Sequence, residues 1–301
     1  MHTSIHALTT AVLCLAGSHT HAQAQEAQAQ QAQAPVQAPV QAPAPVQQSA
    51  VARPPHSVAF ETYAFSGTIN GQSTTVVAPA VFANFALSET VSLSAAWLFA
   101  YAPSANGSPT SFQAGNPSIG ASTVLKGGDL KIRAGSSLVL PFTLLTDPDD
   151  QQSALLKRAA TLRGNSAFSL VAPGLLGLTP WVDVGMRQGM LRLGLDFRMP
   201  LALQLSPRRE RRLDAVFQLT GSAGLDVLPN LYVGTNMQAI YVSTAAAGAD
   251  PTHLALIPFV RAHGKAGFAE ARLTLNLDAP LGFAFSPNGV WALGLALGTT
   301  F

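Results

Sequence analysis

The chain has 301 residues, of which 48% are hydrophobic and 11% charged, and its formal net charge is +2. This composition argues against an intrinsically disordered chain and against a nucleic-acid-binding surface. The single cysteine, Cys14, lies in the first apolar stretch, so a mature product has no disulfide, cysteine-based zinc site or thiol nucleophile.

The first 55 residues predict export followed by a spacer. Residues 7–17 form a short apolar core, and Ala22-Gln23-Ala24 resembles a cleavage site, so residues 1–24 are predicted to be a signal peptide. Residues 25–55 are almost entirely Ala, Gln, Pro and Val, which predicts a disordered, extended periplasmic tether. This tether either contacts the cell-wall layer or is a plain spacer.

From residue 56 to residue 301 the pattern predicts an antiparallel β-barrel. No stretch approaches the roughly 20 unbroken apolar residues of a membrane helix. Apolar and polar residues alternate instead over lengths typical of tilted membrane-spanning strands. The predicted strands number about twelve and are 57–65, 75–87, 91–102, 115–125, 129–143, 174–187, 190–203, 213–227, 231–243, 253–263, 266–278 and 289–301.

The connections between these strands alternate in length. Residues 88–90 and 228–230 are short, whereas 66–74, 103–114 and 144–173 are long. This layout is typical of an up-and-down transmembrane barrel of the bacterial outer membrane with both termini in the periplasm.

The short turns predict the strand register. A Gly127-Gly128 turn would place Val124 opposite Lys131, and a Gln188-Gly189 turn would place Asp183 opposite Gly194. The turn at 228–230 would place Asp226 opposite Tyr232 and Ser222 opposite Asn236. In each hairpin the apolar residues then share one face, as antiparallel pairing requires.

Charged residues on the predicted strands fall on the face opposite the apolar one, apart from Asp129 at a turn edge. A charge facing lipid from a barrel costs about 2 to 4 kcal/mol at mid-bilayer, so this face is predicted to line the lumen. The acids there are Glu61, Asp183, Asp196, Asp214, Asp226, Glu270 and Asp278, and the bases are Lys131, Arg133, Arg187, Arg192, Arg198, Arg261 and Arg272.

Two interpretations of these charges remain open. They form a salt-bridged wall, with pairs such as Asp183 with Arg192 and Arg261 with Glu270. Alternatively, the bases form a ladder that steers a polar or anionic solute. The equal numbers of acids and bases argue against strong anion selectivity.

Aromatic residues fall into two groups. Most lie on outward faces near strand ends, which is typical of an aromatic girdle at the membrane interface. Trp181 and Phe268 point inward instead and are candidates for contact with a solute. The girdle residues are Trp97, Phe99, Tyr101, Phe197, Tyr241, Trp291 and Phe301.

Two of the long connections carry a feature of their own. Residues 147–163 begin with Asp147-Pro148 and place Leu155, Leu156, Ala159 and Leu162 at helical spacing, so a short helix is predicted. It either enters the lumen, covers the extracellular mouth or lies on the surface. The basic cluster 206–212, "SPRRERR", is either solvated or contacts lipopolysaccharide phosphate.

Nothing in the sequence predicts an enzyme, a cofactor or a metal site. A barrel hydrolase needs a serine and a histidine within hydrogen-bond reach. The strand that carries His253 and His263 has no serine, although neighbouring strands offer hydroxyl groups. Metal-ligand spacing and phosphate-binding glycine loops are also missing from the sequence.

Two stretches resemble known families. Residues 289–301, "GVWALGLALGTTF", resemble the C-terminal signal of outer-membrane barrels, which implies that Trp291, Leu293, Leu295, Leu297 and Phe301 are read by the barrel-assembly machinery. Residues 115–142 are similar to a region of the outer-membrane transporters linked to phenol meta-pathway degradation. That resemblance implies uptake of small hydrophobic or aromatic compounds.

The sequence therefore predicts a channel or transporter in the outer membrane of a Gram-negative bacterium, for passive uptake of small solutes. Outer-membrane lipid and lipopolysaccharide are its predicted surroundings, and no nucleic-acid partner is expected. The alternatives are a non-conducting structural or adhesion barrel and, with less support, a lipid-modifying barrel enzyme.

Overall fold

The computed structural model describes residues 56–69, 72–103, 110–127, 129–143, 155–156, 159–160, 162–163, 168–171, 174–205, 213–243, 250–278 and 290–301. The chain divides into two units, Met1–Gln48 and Ser49–Phe301, and all described residues belong to the second. The predicted signal peptide and tether (1–55) and the basic cluster 206–212 lie outside the described residues.

The described strands form one closed antiparallel barrel of twelve wall positions. The strands are β1 (Ser57–Ile69), β2 (Gln72–Ala86), β3 (Val91–Ala102), β4 (Ser111–Ala114), β5 (Ser118–Lys126), β6 (Leu130–Val139), β7 (Leu175–Gln188), β8 (Leu191–Arg198), β9 (Leu201–Gln204), β10 (Leu213–Leu228), β11 (Leu231–Val242), β12 (Thr252–His263), β13 (Gly267–Asn276) and β14 (Trp291–Thr300). Two wall positions are each shared by two strands, because β3 pairs with both β4 and β5, and β7 and β10 pair with both β8 and β9.

The barrel closes where β14 pairs with β1. Their ladder runs from Ser57 opposite Thr300 to Ala64 opposite Leu293. The Phe301 N–H donates to the His56 carbonyl at 3.0 Å, and the two rings stack with centroids 5.7 Å apart. Because closure pairs both outer strands, the wall satisfies its backbone groups without an open edge, as a membrane-spanning sheet must.

The alternation of short and long connections is confirmed, with one correction. At the turn end of the barrel the strands are joined by residues 87–90, 127–129, 189–190, 229–230 and 264–266, and the loop end carries the longer connections. The predicted long connection 66–74 is wrong, because β1 and β2 stay paired as far as Ile69 and Gln72. The two residues that remain between them are Asn-Gly, the dipeptide favoured in tight hairpins.

The observed strand pairing agrees with the predicted faces, including in two hairpins where the predicted register is wrong. Asp226 lies opposite Tyr232 and Ser222 opposite Asn236, as predicted. In the β7–β8 hairpin Gly189, with a φ of +59°, takes the first turn position, so Asp183 lies opposite Asp196 instead of Gly194. In the β5–β6 hairpin a register shift near the turn places Val124 opposite Arg133. Both errors are of two residues, which leaves each side chain on its predicted face.

Both interrupted wall positions contain a proline, which is Pro117 between β4 and β5 and Pro200 between β8 and β9. Pro200 separates β8 from β9, since proline has no N–H for the ladder. Between β4 and β5, the N–H of the fully buried Asn116 donates to the Leu170 carbonyl at 2.6 Å, and its Oδ1 accepts from the Thr143 hydroxyl at 2.8 Å. Leu170 belongs to the short helix α1 (Phe168–Val171), so this helix is bonded to the wall where the strand breaks.

Helix is a minor part of the described chain. Residues 155–156, 159–160 and 162 are helical, which confirms the predicted loop helix at those positions. Its predicted start at Asp147-Pro148 lies outside the described residues. Among the described residues, no helix has the length and apolar character to cross a membrane.

Leu219 and Thr220 are adjacent near the middle of β10 and point to opposite faces, so substitutions there can test which face meets lipid. Leu219 is on the outer face and 44% exposed, whereas Thr220 faces inward opposite Asp196. We expect Leu219→Arg to lower the free energy of unfolding in lipid vesicles by about 2 to 4 kcal/mol, because the arginine would meet the bilayer. The matched Thr220→Arg variant should lose less than about 1 kcal/mol, since its charge can pair with Asp196. Equal losses in denaturant titrations of the two refolded variants would contradict this assignment of faces.

Candidate functional site

Burial identifies the inner face of the barrel, because Glu270 and Ala296 are 6% and 2% exposed whereas Leu295 and Leu297, on the other face of β14, are 49% and 62% exposed. Arg163, from the connection between β6 and β7, forms an ion pair with Glu61 of β1 at 2.9 Å. Residues that lie directly opposite each other in an antiparallel sheet share a face. The row that includes Glu61 continues through Ala296, Glu270, Arg261, Tyr232 and Asp226, so all of these point inward.

The structure brings most of the predicted lumen charges into ion pairs with one another. Arg261 pairs with Glu270, as suggested from the sequence, but Asp183 pairs with Arg133 and not with Arg192. The observed β7–β8 register explains this difference. Asp196 lies opposite Asp183, so Arg192 is four residues along β8 from that position instead of the predicted two. The remaining ion pairs are Arg187 and Arg192 with Asp226, Arg198 with Asp196, and Arg272 with Glu61 and Glu270. Asp278 lies 3.3 Å from the Nδ1 atom of His253. Asp214 lies on the inner face opposite Ala202, and Lys131 opposite Gly185.

The central part of this network joins three elements of the wall to the loop. Glu270 of β13 is 6% exposed and contacts both Arg261 and Arg272. Arg272 also donates to Glu61 at 3.3 Å and to the Tyr63 hydroxyl at 2.9 Å, both on β1. A chain of charge-assisted hydrogen bonds therefore runs along the inner wall from β12 to β1.

The loop helix lies inside the barrel, which decides between the alternatives left by the sequence. Leu155, Leu156, Ala159, Ala160 and Leu162 are all buried, and they belong to one apolar cluster with inner-face residues of β1, β2, β3 and β14. Those wall residues lie near the middle of their strands or closer to the loop end, and they are Tyr63, Phe65, Val76, Ala78, Ala80, Leu98, Ala100 and Ala292. Full burial of a leucine contributes about 1.5 to 3 kcal/mol, so this segment is held firmly against the wall as a constriction.

Arg163 fixes the end of the constricting segment to the middle of the barrel. Its side chain is 6% exposed, and its guanidinium carbon lies 4.5 Å from the centre of the Tyr63 ring. The Glu61 carboxylate that accepts from Arg163 is shared with Arg272. We call this ion pair, Arg163 with Glu61, the loop latch.

Glycines on the inner wall make room for aromatic rings. A Cβ atom at Gly224 would lie 2.6 Å from the Tyr232 ring, and one at Gly294 would lie 2.8 Å from the Tyr63 ring. Gly135 likewise has the Trp181 ring against it, and Gly298 has the Phe268 ring. The small inner face of β14 thus seats large side chains of the neighbouring strands.

Each of these four rings also has an arginine close to it. Guanidinium carbons lie 4.9 Å from the Tyr232 ring centre, 4.8 Å from that of Phe268 and 5.9 Å from that of Trp181. The arginines are Arg192, Arg261 and Arg133 respectively, and Tyr63 is flanked by Arg163 and Arg272. The inner wall therefore carries four groups of a glycine, a ring and a nearby arginine, which we call stacks, and cation–π attraction stabilises them.

The predicted outward residues lie where lipid would meet the barrel. Leu293, Leu295, Leu297 and Phe301 are between 48% and 68% exposed. Trp291 is partly buried, with its ring 6.3 Å from that of Phe65. The Trp97 Nε1–H donates to the Gly115 carbonyl at 2.9 Å, and Trp97, Phe99, Phe112 and Phe142 form a chain of ring contacts near the loop end. Tyr101, Phe197 and Tyr241 are 37%, 41% and 46% exposed.

The two strand histidines have different surroundings. His253 is buried, with Nε2 3.0 Å from the Asn276 Oδ1 and Nδ1 3.3 Å from Asp278, so its recorded partners are an amide and a carboxylate. His263 lies opposite Phe268 at the turn end. Within the described ranges, neither histidine is hydrogen-bonded to a hydroxyl group that would serve as a nucleophile, and no group of three or more metal-ligating side chains is present.

Sequence reasoning missed several residues that the structure places in this lumen. Tyr63 shares the parity of Glu61 on β1, and Tyr232 lies opposite Asp226, so alternation and the predicted hairpin register would have found both. Phe82 also lies inward, with the Arg163 guanidinium carbon 5.8 Å from its ring centre. Arg163 carries no strand parity, and only the path of the loop reveals its role.

Two solved structures are similar to this barrel. An outer-membrane channel from Pseudomonas putida F1 matches with a TM-score of 0.54 and 13% identity, over 86% of this chain and 99% of that chain. The NanC porin matches with a TM-score of 0.50 and 8% identity, over 82% of this chain and 98% of that chain. The fold is that of a bacterial outer-membrane β-barrel.

This fold, with its apolar outer face and charged lumen, is consistent with a location in the bacterial outer membrane. No family model matches the chain, and no curated protein matches its sequence. The resemblance of residues 115–142 to the phenol-pathway transporters and the role of the C-terminal signal therefore stay predictions.

Two glycines on the inner face test whether aromatic rings pack directly against glycine positions. Gly224 is in contact with the Tyr232 ring and with the Val233 carbonyl, whereas a Cβ atom at Gly185 would meet nothing within 4 Å. We expect Gly224→Ala to lower the free energy of unfolding by about 1 to 3 kcal/mol, because the methyl group overpacks the wall. Gly185→Ala should be neutral or stabilising by up to about 1 kcal/mol, since it only reduces chain entropy in the unfolded state. Denaturant titrations of both variants in the same lipid measure these changes. A neutral effect of Gly224→Ala would contradict the close contact between Gly224 and the Tyr232 ring.

Proposed function

We propose that the protein is a passive outer-membrane channel for small solutes, with the segment from Leu155 to Arg163 as its constriction. The observation that carries this proposal is the apolar segment packed inside a charged, closed barrel and fixed there by the loop latch. A twelve-stranded barrel lies between the filled eight-stranded type and the open sixteen-stranded porins. At that size, one inserted segment is enough to narrow the passage without blocking the whole lumen.

We also propose that the preferred solutes are small, and hydrophobic or aromatic. Support comes from the rings of Tyr63, Trp181, Tyr232 and Phe268 along the inner wall and from the apolar surface of the constriction. A solute with an apolar body finds contact surface there that a hydrated sugar does not use. The alternative is a non-conducting structural barrel, in which the packed segment closes the passage completely.

The loop latch tests the channel directly. Arg163→Gln removes the ion pair with Glu61, while Glu61 keeps its contact with Arg272. A buried hydrogen bond to a charged group contributes about 1.5 to 3 kcal/mol, so its loss should raise the population of open channels at least about tenfold. Single-channel recording in planar bilayers measures this as open probability and conductance.

The matched control for this experiment is Glu89→Gln, which removes a charge from the exposed turn at 87–90 and should leave conductance unchanged. Both variants must first show the folded form by their shifted mobility in unheated gels. Absence of conductance in the wild type and in Arg163→Gln would refute the channel and favour the structural barrel. Swelling of liposomes at equal rates in phenol and in a sugar of similar size would refute the proposed solute preference.

For assembly, we propose that β14 and Phe301 form the signal by which the barrel is inserted. The outer face of β14 presents Leu293, Leu295 and Leu297, and Phe301 is 68% exposed. Phe301→Ser should lower the amount of folded barrel in the outer membrane about tenfold, whereas Phe60→Ser, on the outer face of β1, should have a much smaller effect. Immunoblots of membrane fractions make the comparison, and equal losses would mean that Phe301 acts only through its apolar surface.

A further inference from the structure

A cup in the inner wall at the turn end has no role in the constriction. Its volume is about 190 Å³, and Arg192, Tyr232, Arg261, His263, Phe268 and Thr300 are among its lining residues. These come from β8, β11, β12, β13 and β14, so the cup spans several neighbouring positions of the wall. Pockets for drug-sized ligands occupy about 300 to 1,000 Å³, and this cup therefore suits a smaller molecule.

Two of the stacks described above form the walls of this cup. Arg192 lies over the Tyr232 ring and Arg261 over the Phe268 ring. Both rings rest against glycines, Tyr232 against Gly224 and Phe268 against Gly298. The cup thus offers flat apolar surface beside hydrogen-bond donors with a positive charge.

The charge exposed in the cup is positive, because the neighbouring acids are more deeply buried than the arginines. The Asp226 and Glu270 side chains are only 10% and 4% exposed, whereas those of Arg192 and Arg261 are 37% and 41% exposed. Each acid is also covered by a second arginine, Arg187 for Asp226 and Arg272 for Glu270. Four guanidinium groups therefore surround two carboxylates, and a solute meets the arginines first.

We propose that the cup binds small planar carboxylates, with a single aromatic ring as the preferred body. Guanidinium groups match carboxylate geometry and retain their charge at all physiological pH values. The carboxylate would accept from Arg192 and Arg261, and its ring would lie against Tyr232 and Phe268. This inference deepens the proposed channel function by naming a class of solute, but the binding itself requires no conduction.

Equilibrium binding to the full-length refolded protein tests the proposal, with sodium benzoate as the probe. Cyclohexanecarboxylate has the same charge without an aromatic ring, and benzyl alcohol has the ring without the charge. We expect benzoate to bind at least about threefold more tightly than cyclohexanecarboxylate, because only benzoate stacks with rings and guanidinium groups. Benzyl alcohol should bind at least about tenfold more weakly than benzoate, since it lacks the charge-assisted hydrogen bonds.

Variants locate the binding at the cup. Arg192→Gln and Arg261→Gln should each weaken benzoate binding about tenfold. Both should fold, because Asp226 keeps Arg187 and Glu270 keeps Arg272 as partners. Phe268→Leu should weaken binding about threefold, whereas the matched variant Phe60→Leu on the outer face should bind as the wild type does.

Three results would overturn the proposal: no saturable benzoate binding, equal affinity for benzoate and benzyl alcohol, or unchanged affinity in both arginine variants. Equal affinity for benzoate and cyclohexanecarboxylate would overturn the preference for a ring. Conductance without benzoate binding would refute this inference and leave the channel intact. Benzoate binding without conductance would support the cup and refute the channel.

Discussion

The pairing of β14 with β1 is the constraint on which the rest of the structure depends. In lipid, every backbone N–H and C=O of a sheet must be satisfied within the sheet, and only closure achieves this. Closure also brings β13 and β1 to either side of a strand whose inner face is almost bare. Because Gly294 carries no side chain, Arg272 of β13 reaches across it to Glu61 and Tyr63 of β1. The charge network of the lumen is thus a consequence of how the barrel closes.

The same small residues govern the space inside. A ring that rests against a glycine lies close to the wall, because no side chain separates the two. At the loop end this space is taken by the apolar segment from Leu155 to Leu162. At the turn end it remains as a cup. The two ends of the lumen therefore differ, because the chain itself narrows the loop end and the cup lies at the turn end.

The burial of two acids changes how the equal numbers of acids and bases on the inner face should be interpreted. The count of acids and bases on the inner face suggests an electrostatically neutral wall. In the structure, Glu270 and Asp226 lie beneath arginines, with side chains 4% and 10% exposed. A desolvated carboxylate that is held by two guanidinium groups is stable there, because its charge is paired and its oxygens accept hydrogen bonds. What faces the lumen is then the arginine, and the effective surface is more basic than the composition indicates.

The sequence by itself determined the class of fold, the positions of the strands and the face on which each strand residue lies. It did so because lipid excludes charge from one face of every strand, and this constraint acts residue by residue with a period of two. The strand register was predicted less accurately than the faces, as the β7–β8 hairpin shows. Moving a turn by one residue changes the partner of Asp183 and leaves its face unchanged. Only the tertiary structure decided that the loop segment enters the lumen, that Arg163 reaches Glu61 and that the acids lie under the arginines. Those arrangements depend on contacts between residues far apart in the chain, and no local periodicity records them.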